Sequence, residues 1–94
     1  MGDERMTIQS LRYIVAVAEA GSITEAAKKL HISQPSLSAA VKEAEREVGF
    51  NIFTRSRSGI ALTKEGVEFL GYARQVIQEM RLLEDRFILN QPEK

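Results

Sequence analysis

The stretch that decides the fold is residues 24–49, TEAAKKLHISQPSLSAAVKEAEREVG. Apolar residues recur at helical spacing on both sides of residues 31–33, which predicts a short helix, a tight turn and a longer helix. The longer helix places four apolar residues on one face: Leu37, Val41, Ala44 and Val48. Both helices therefore need a third element to cover their apolar sides.

Capping signals set the ends of these two helices. Ser22, with Glu25 three residues later, has the spacing of a capping box and starts the shorter helix of this pair. Ser33 caps the longer helix, Pro35 lies in its first turn where a missing N–H costs little, and Gly49 ends it. The pattern is typical of a helix-turn-helix.

The shorter helix and the turn after it are built from small and permissive residues. Ala26 and Ala27 of the helix allow the two helices to approach closely, and Ile23 and Leu30 complete its inner side. His31 stands where such a turn needs a positive φ, which histidine tolerates. It is the only histidine, and the chain has no cysteine, so we interpret it as a turn residue and expect neither a metal site nor a cofactor.

Upstream, Thr7 and Gly21 bound a predicted first helix that covers the back of this pair. Its apolar positions recur at helical spacing and are Ile8, Leu11, Ile14, Val15 and Ala18. Residues 1–6 are expected to form a disordered tail. The first helix is therefore assigned a structural role.

After Gly49 the pattern changes to short strands. Residues 50–53 supply apolar anchors, and residues 54–57 and 59–63 predict two strands around a turn at 56–59. This hairpin forms a wing that carries Arg55 and Arg57, within reach of a minor groove or of backbone phosphates. A hairpin with merely solvated arginines is the alternative.

The last helix is predicted to start after Thr63 and to run from Lys64 to about Leu89. Six apolar residues follow the 4-3 alternation of a coiled-coil seam: Phe69, Ala73, Val76, Met80, Leu83 and Phe87. A second stripe, Val67, Leu70 and Ile77, is expected to pack on the domain's own core. Two stripes exceed what a small monomer covers, so we expect the helix to pair with a second copy of the chain in a homodimer. A helix buried within one chain is the alternative.

Composition and charge limit the classes of function. The chain has 94 residues, 44% of them hydrophobic, and a formal net charge of zero. Residues 22–64 nevertheless hold seven basic and four acidic groups, a local excess of three positive charges where phosphates would be met. No apolar run is long enough for a membrane. With no cysteine, a single histidine in a turn, no phosphate-binding glycine loop and no inward carboxylate pair, nothing suggests an enzyme. A cytoplasmic, non-enzymatic protein is expected.

The exposed side of the longer helix has the composition of a DNA-reading surface. Short or planar polar groups occupy its N-terminal half and offer hydroxyl and amide contacts to base edges in a major groove. The outward residues are Gln34, Pro35, Ser36, Ser38, Ala39 and Lys42. Taken alone, such a surface is equally compatible with simple solvation.

The run from Leu11 to Gly66 is similar to the winged helix-turn-helix of LysR-type transcriptional regulators. The resemblance spans residues 7 to about 86 and rests on AA..L.ISQPSLS, EVG...F.R and LT..G. It implies a mainly α fold: a three-helix core and a short two-stranded wing in residues 7–63, then a dimerising linker helix in 64–90 and a tail in 91–94. It also implies a recognition helix that starts at Ser33. The protein would be a bacterial regulator whose effector-binding domain is absent here, and any small-molecule effector would act through that missing domain.

The resemblance assigns roles to individual residues. Gln34, Pro35 and Ser38 match positions that meet bases or phosphates, Thr24 matches a backbone contact, and Arg55 matches the wing arginine. Ala39 departs from a frequent arginine, which shifts the expected readout toward the other positions. Together with the basic and capping residues, the predicted contacts to double-stranded DNA are Thr24, Lys28, Lys29, Ser33, Gln34, Pro35, Ser36, Ser38, Lys42, Arg55 and Arg57. The rival hypothesis is a winged-helix module for dimerisation or protein interaction that does not bind DNA.

Overall fold

The computed structural model describes residues 6–89, and its elements follow the predicted order. Three helices are followed by a hairpin and a long last helix: α1 (Ile8–Ala20), α2 (Ile23–Leu30), α3 (Gln34–Val48), β1 (Phe53–Ser56), β2 (Gly59–Leu62) and α4 (Lys64–Glu84). A π-helical turn, Asp85–Leu89, continues α4. The predicted three-helix core with a two-stranded wing is confirmed. Within the described part of the chain, no helix has both the length and the apolar character that crossing a membrane requires.

Each of the four α-helices in residues 6–89 begins at a hydroxyl residue that accepts a hydrogen bond from the N–H three residues later. These residues are Thr7, Ser22, Ser33 and Thr63. The capping box predicted at Ser22 and Glu25 is formed only in the half in which Ser22 accepts, and the reciprocal box is instead formed by Thr7 and Ser10. Such caps satisfy one of the N–H groups that a helix start leaves without a backbone partner, and each is worth about 1 kcal/mol. The helix boundaries are therefore set by local residues.

Left-handed residues end the first three helices. Gly21 has a φ of 70°, His31 of 60° and Gly49 of 84°. Among residues 6–89, His31 is the one non-glycine residue with positive φ, which confirms its interpretation as the turn residue. In the same residues, no cluster of histidine, aspartate or glutamate is arranged to hold a metal ion.

The core lies where α1, α2, α3 and the base of the wing meet. Its least exposed large side chains are Ile14, Val17, Leu37 and Ile52. The α3 face predicted from the sequence is confirmed, since Leu37, Val41 and Ala44 are buried and Val48 packs against them.

The apolar face predicted for α1 is confirmed only in part, because it included Ile14 but not Val17. Ile14 and Val17 are its buried residues, whereas Ile8, Leu11 and Val15 are only partly covered. The physical reason is that α1 contacts α2 and α3 on one side and α4 on the other, so apolar residues surround much of the helix. Met6, which the sequence placed in the tail, also packs against the core, and residues 1–5 lie outside the described part.

Strand β1 lies one residue earlier than predicted, whereas β2 begins at Gly59 as predicted and ends one residue earlier. The wing rests on the turn between α1 and α2. Its strands are antiparallel, with Arg55 opposite Ile60. The N–H of Ile60 donates to the carbonyl oxygen of Gly21 at 3.3 Å. Gly59 has a φ of 126° and approaches the same carbonyl so closely that a Cβ would lie 3.0 Å from it. These contacts hold the wing against the turn that precedes α2.

Helix α4 runs antiparallel to α1. Arg74 pairs with Glu19 at one end at 3.4 Å, and Arg12 pairs with Glu84 at the other at 3.9 Å. These exposed pairs add little stability, about 0–1 kcal/mol each, but they match the register of the two helices. The first turn of α4 is held more tightly, because Gly66 lies against the backbone of Ile52.

Val67 was predicted to pack on the core, and this prediction was wrong. Val67 is 59% exposed, whereas Leu70 packs on the core as expected and Ile77 is partly covered. Gly66 is the residue that faces the base of the wing, and its neighbour Val67 lies about 100° further around the helix, which turns it to solvent.

The contact at Gly66 predicts a large cost for the smallest possible addition. A Cβ on Gly66 would lie 2.1 Å from the carbonyl oxygen of Ile52, so Gly66→Ala forces the backbone apart. We expect a loss of about 1–3 kcal/mol in the free energy of unfolding, measured by urea denaturation.

Gly71→Ala is the matched control, since it adds the same methyl group to the same helix. A Cβ there meets nothing within 4 Å, so the change should stabilise the chain by about 0.5–1 kcal/mol through helix propensity. Equal effects of the two substitutions would contradict the packing described for Gly66.

Candidate nucleic-acid interface

Three separate segments meet at one surface cleft of about 230 Å³. The start of α2, the start of α3 and the wing all contribute to it. Its lining residues are Ser22, Ile23, Thr24, Gln34, Arg55, Ser56, Gly59 and Ile60. The cleft therefore brings together Thr24, Gln34 and Arg55, three predicted DNA contacts that are far apart in the sequence.

The N-terminal half of α3 presents a low, polar surface. Ser33, Gln34, Pro35, Ser36 and Lys42 are exposed, and Ser38 is partly covered. The Nε2 of Gln34 donates to the hydroxyl of Ser38 at 3.2 Å. This bond holds the glutamine along the helix, and it must be exchanged for a base contact if Gln34 reads DNA.

Ser33 and Ser36 also bond to each other. The Oγ of Ser33 accepts from the N–H of Ser36 at 3.2 Å and donates to the Ser36 hydroxyl at 2.9 Å. Ser33 therefore serves first as the helix cap. Its predicted place among the DNA contacts depends on an oxygen atom that the helix already uses.

The predicted basic contacts are exposed, and most of them lack an acidic neighbour. Lys28 lies 3.7 Å from the carboxylate of Glu25, a pair that water screens. Within residues 6–89, none of the other four basic residues, Lys29, Lys42, Arg55 and Arg57, takes part in a salt bridge. Their charges are available to an anionic partner.

Sequence reasoning missed the contacts that fix the wing to the helices. Glu45 of α3 accepts two hydrogen bonds through Oε2, from the N–H of Ile52 at 2.8 Å and of Phe53 at 3.1 Å. One signal was present in the sequence: at helical spacing Glu45 falls between Val41 and Val48, on the apolar side of α3. A carboxylate at such a position needs donors, and the next segment supplies them.

The predicted dimerisation residues of α4 and its π-helical continuation fall into two sets according to their exposure. Ala73 is only 2% exposed within one chain, and Phe69 packs edge-to-face on Phe50 at 6.4 Å. Met80 is partly covered and lines a groove with residues of α1. These residues serve the chain's own packing, because α4 turns this side toward the core and α1.

The remaining seam residues stay at the surface. Val76, Leu83 and Phe87 are 42%, 50% and 61% exposed, and Tyr72, which the sequence analysis did not select, is 64% exposed. The spacing of Tyr72, Val76 and Leu83 places them on one side of α4. We call Tyr72, Val76 and Leu83, together with Phe87 of the π-helical turn that continues α4, the apolar edge of α4.

Three helices, a wing docked on the α1–α2 turn, and an exposed polar helix start beside that wing define a winged helix-turn-helix domain. Comparison with known proteins agrees with this class. Residues 8–67 match the family model described as bacterial regulatory helix-turn-helix protein, lysR family. The chain belongs to the LysR family.

Relatives and solved structures extend the match. The chain is 46% identical over 72 residues to the HTH-type transcriptional regulator TfdT of Cupriavidus pinatubonensis, an alignment covering 77% of this chain and 32% of TfdT. It is 42% identical to the HTH-type transcriptional regulator ClcR of Pseudomonas putida, covering 77% of this chain and 24% of ClcR. The chain thus spans a third or less of the length of these curated relatives, which are named as regulators and not as enzymes.

Two solved complexes with DNA have the same fold. The crystal structure of the CbnR_DBD–DNA complex aligns with a TM-score of 0.81 at 40% identity, over 86% of this chain and 93% of that one. The BenM_DBD/catB site 1 DNA complex aligns with a TM-score of 0.79 at 37% identity, over 83% of this chain and 84% of that one. The fold predicted from the sequence and the family resemblance are confirmed.

Proposed function

We propose that this chain is the DNA-binding part of a bacterial LysR-type regulator, and that it binds double-stranded DNA sequence-specifically in the cytoplasm. The observation that carries the proposal is the cleft where Thr24, Gln34 and Arg55 meet. The similar CbnR_DBD and BenM_DBD structures are complexes with DNA, which supports the proposal.

In this proposal α3 is the recognition helix and enters the major groove by its N-terminal half. The side chains there are short, so the helix can approach base edges closely. Gln34 is suited to pair in bidentate fashion with an adenine, which gives about 1–3 kcal/mol of discrimination. Pro35, Ser36 and Ser38 add contacts to bases or phosphates, and Ala39 presents only a methyl group, so Gln34 carries much of the readout.

Phosphate contacts supply affinity on either side of the recognition helix. Thr24 lies in the first turn of α2, where N–H groups and the helix dipole favour an anion. The exposed basic residues attract the backbone of any sequence: Lys28, Lys29, Lys42, Arg55 and Arg57. Arg55 and Arg57 lie on the wing and contact the minor groove or its phosphates.

We further propose that the apolar edge of α4 joins two copies of the chain. Four large side chains exposed along one helix are unusual on a protein that functions as a monomer. A dimer would present two recognition helices to successive major grooves, so the site would be an interrupted inverted repeat with half-sites about one helical turn, 10 bp, apart or a multiple of this. Any small-molecule effector would bind a domain outside this chain.

The rival function is a winged-helix module for protein interaction that does not bind DNA. The zero net charge and the apolar edge of α4 are the observations that favour it. A mobility-shift assay with random duplex DNA at low salt separates the two functions. Binding that weakens as salt is added supports the proposal, whereas no shift at any concentration tested would leave the interaction module as the function.

Gln34→Ala should relax sequence preference. Because the amide makes base contacts and few phosphate contacts, affinity for the selected operator should fall about tenfold, equivalent to about 1.4 kcal/mol, while affinity for random DNA changes little. The measurement is a titration of both duplexes, after the operator has been selected from a random pool. Gln78→Ala, which removes an exposed glutamine from α4, is the control, and equal losses on both duplexes would refute the role of Gln34.

Arg55→Ala should weaken binding to operator and random DNA alike. Loss of one phosphate contact should reduce the slope of log affinity against log salt concentration by about 0.9. Arg81→Ala removes the same charge from the last turn of α4, outside the predicted DNA contacts, and should leave the slope unchanged. If the two variants have equal slopes, the wing does not touch the duplex.

Leu83→Asp should disrupt the dimer, because it places a charge within the apolar edge of α4. We expect the dimer dissociation constant, measured by sedimentation, to rise at least tenfold, since burying an unpaired carboxylate is costly. Gln78→Asp adds the same charge on another side of the helix and should leave the constant near its original value. Dimers that tolerate Leu83→Asp would place the interface elsewhere.

A further inference from the structure

We propose that Glu45 is a positioning residue for DNA binding: its carboxylate sets the wing, and with it Arg55, relative to the recognition helix. This inference rests on the proposed DNA-binding function and goes beyond it, because Glu45 does not line the cleft and is not expected to touch DNA. The observation behind it is the pair of hydrogen bonds that Glu45 accepts from the start of the wing.

The geometry places one carboxylate oxygen at the base of β1. Oε2 accepts from the N–H groups of both Ile52 and Phe53, and Phe53 is the first residue of β1. Arg55 follows two residues later on the same strand. A shift of the base of β1 would therefore move the guanidinium group relative to α3.

The partners of Glu45 make this contact hard to replace. The side chains of Ile52 and Phe53 are buried, and the bonds from their N–H groups to Glu45 are partly buried. Without the carboxylate, two backbone donors lose their partner at a place where water has limited access. Hydrogen bonds to a charged acceptor are also stronger than neutral ones, so the loss weakens the strand's attachment to α3 specifically.

The other anchors of the wing come from different elements. Thr63, at the start of α4, donates through Oγ1 to the carbonyl oxygen of Asn51 at 2.6 Å, and Gly21 accepts from Ile60 of β2. Among the hydrogen bonds that the structure describes, those of Glu45 are the ones that join the wing to the recognition helix itself. The relative position of these two DNA-contacting elements therefore depends on Glu45.

The charge of Glu45 supports a positioning role. A carboxylate on a helix that approaches phosphates opposes binding by simple electrostatics. Here its charge is directed away from the exposed face of α3, into two N–H groups that partly neutralise it. Glu45 can therefore position the wing while repelling the phosphates of DNA less than a fully exposed carboxylate would.

A double-mutant cycle tests the inference on the whole 94-residue chain. The four proteins are the wild type, Arg55→Ala, Glu45→Ala and the double variant, and the readout is the salt slope of binding to random duplex DNA. We expect Arg55→Ala to lower the slope by about 0.9 in the wild type but by less than half of that in Glu45→Ala, because the arginine is already misplaced. A loss of half or more in both backgrounds would overturn the inference.

The cycle separates positioning from a general loss of stability. A partly unfolded population lowers the active fraction but leaves the salt slope of the folded molecules, and hence the Arg55 contribution, intact. Glu43→Ala is the matched control, since it removes the same charge two residues earlier on α3, where the carboxylate pairs only with Arg46 in the described structure. In that background the Arg55 effect should be complete.

Two further measurements keep the test decisive if Glu45→Ala folds poorly. Glu45→Gln retains a side-chain oxygen acceptor, so the Arg55 effect should return toward its wild-type size, and a Gln variant as defective as Ala would contradict the hydrogen-bond mechanism. Amide hydrogen exchange at Ile52 and Phe53, followed by NMR, should accelerate in Glu45→Ala and stay slow in Glu43→Ala.

The outcomes distinguish this inference from the proposed function. If the wild type does not bind DNA, the proposed function fails. If Arg55→Ala has no effect in the wild type, the wing contact fails, and the role of Glu45 fails with it. If Arg55 contributes equally with and without Glu45, the DNA-binding function stands and only the positioning role is wrong.

Discussion

The backbone of residues 51–53 is the junction on which the arrangement of the domain depends. The N–H groups of Ile52 and Phe53 donate to Glu45 of α3, and the carbonyl oxygens of Asn51 and Ile52 accept from the hydroxyl of Thr63 before α4. Gly66 lets α4 approach this same backbone at a distance that no side chain would permit. One short segment thus contacts α3, the wing and α4.

Local chemistry explains why much of the fold was predictable from the sequence. Hydroxyl caps and left-handed residues act within three or four positions, so Ser33, His31 and Gly49 mark their boundaries without knowledge of the rest of the chain. The buried face of α3 was predictable for a related reason, since α3 has one apolar side and one polar side. The predicted DNA contacts on α3 are mostly exposed because they lie on its polar side.

Tertiary packing explains what could not be predicted. Helix α1 contacts α2, α3 and α4, so periodicity placed Ile14 at the margin of its apolar stripe and missed Val17, although these two residues are the buried ones. In α4 the seam pattern mixed residues used inside the chain, such as Phe69 and Ala73, with residues left outside. The role of Glu45 also depends on which segment folds back onto α3, and no residue close to it in sequence reveals that partner.

The apolar edge of α4 offers a way for a chain with no net charge to bind DNA with useful affinity, as one half of a pair. In the proposed function, a single copy offers a lightly charged recognition helix with alanine at position 39, so its affinity would depend on its few exposed basic residues, of which Arg55 lines the cleft. Pairing through α4 would double those contacts without adding charge to either copy. For both copies to fit one duplex, each recognition helix must keep a fixed angle to its α4. In the proposed dimer, the bonds of residues 51–53 to Glu45 and Thr63 would help to hold that angle, and the spacing of two half-sites would then depend on contacts made inside each domain.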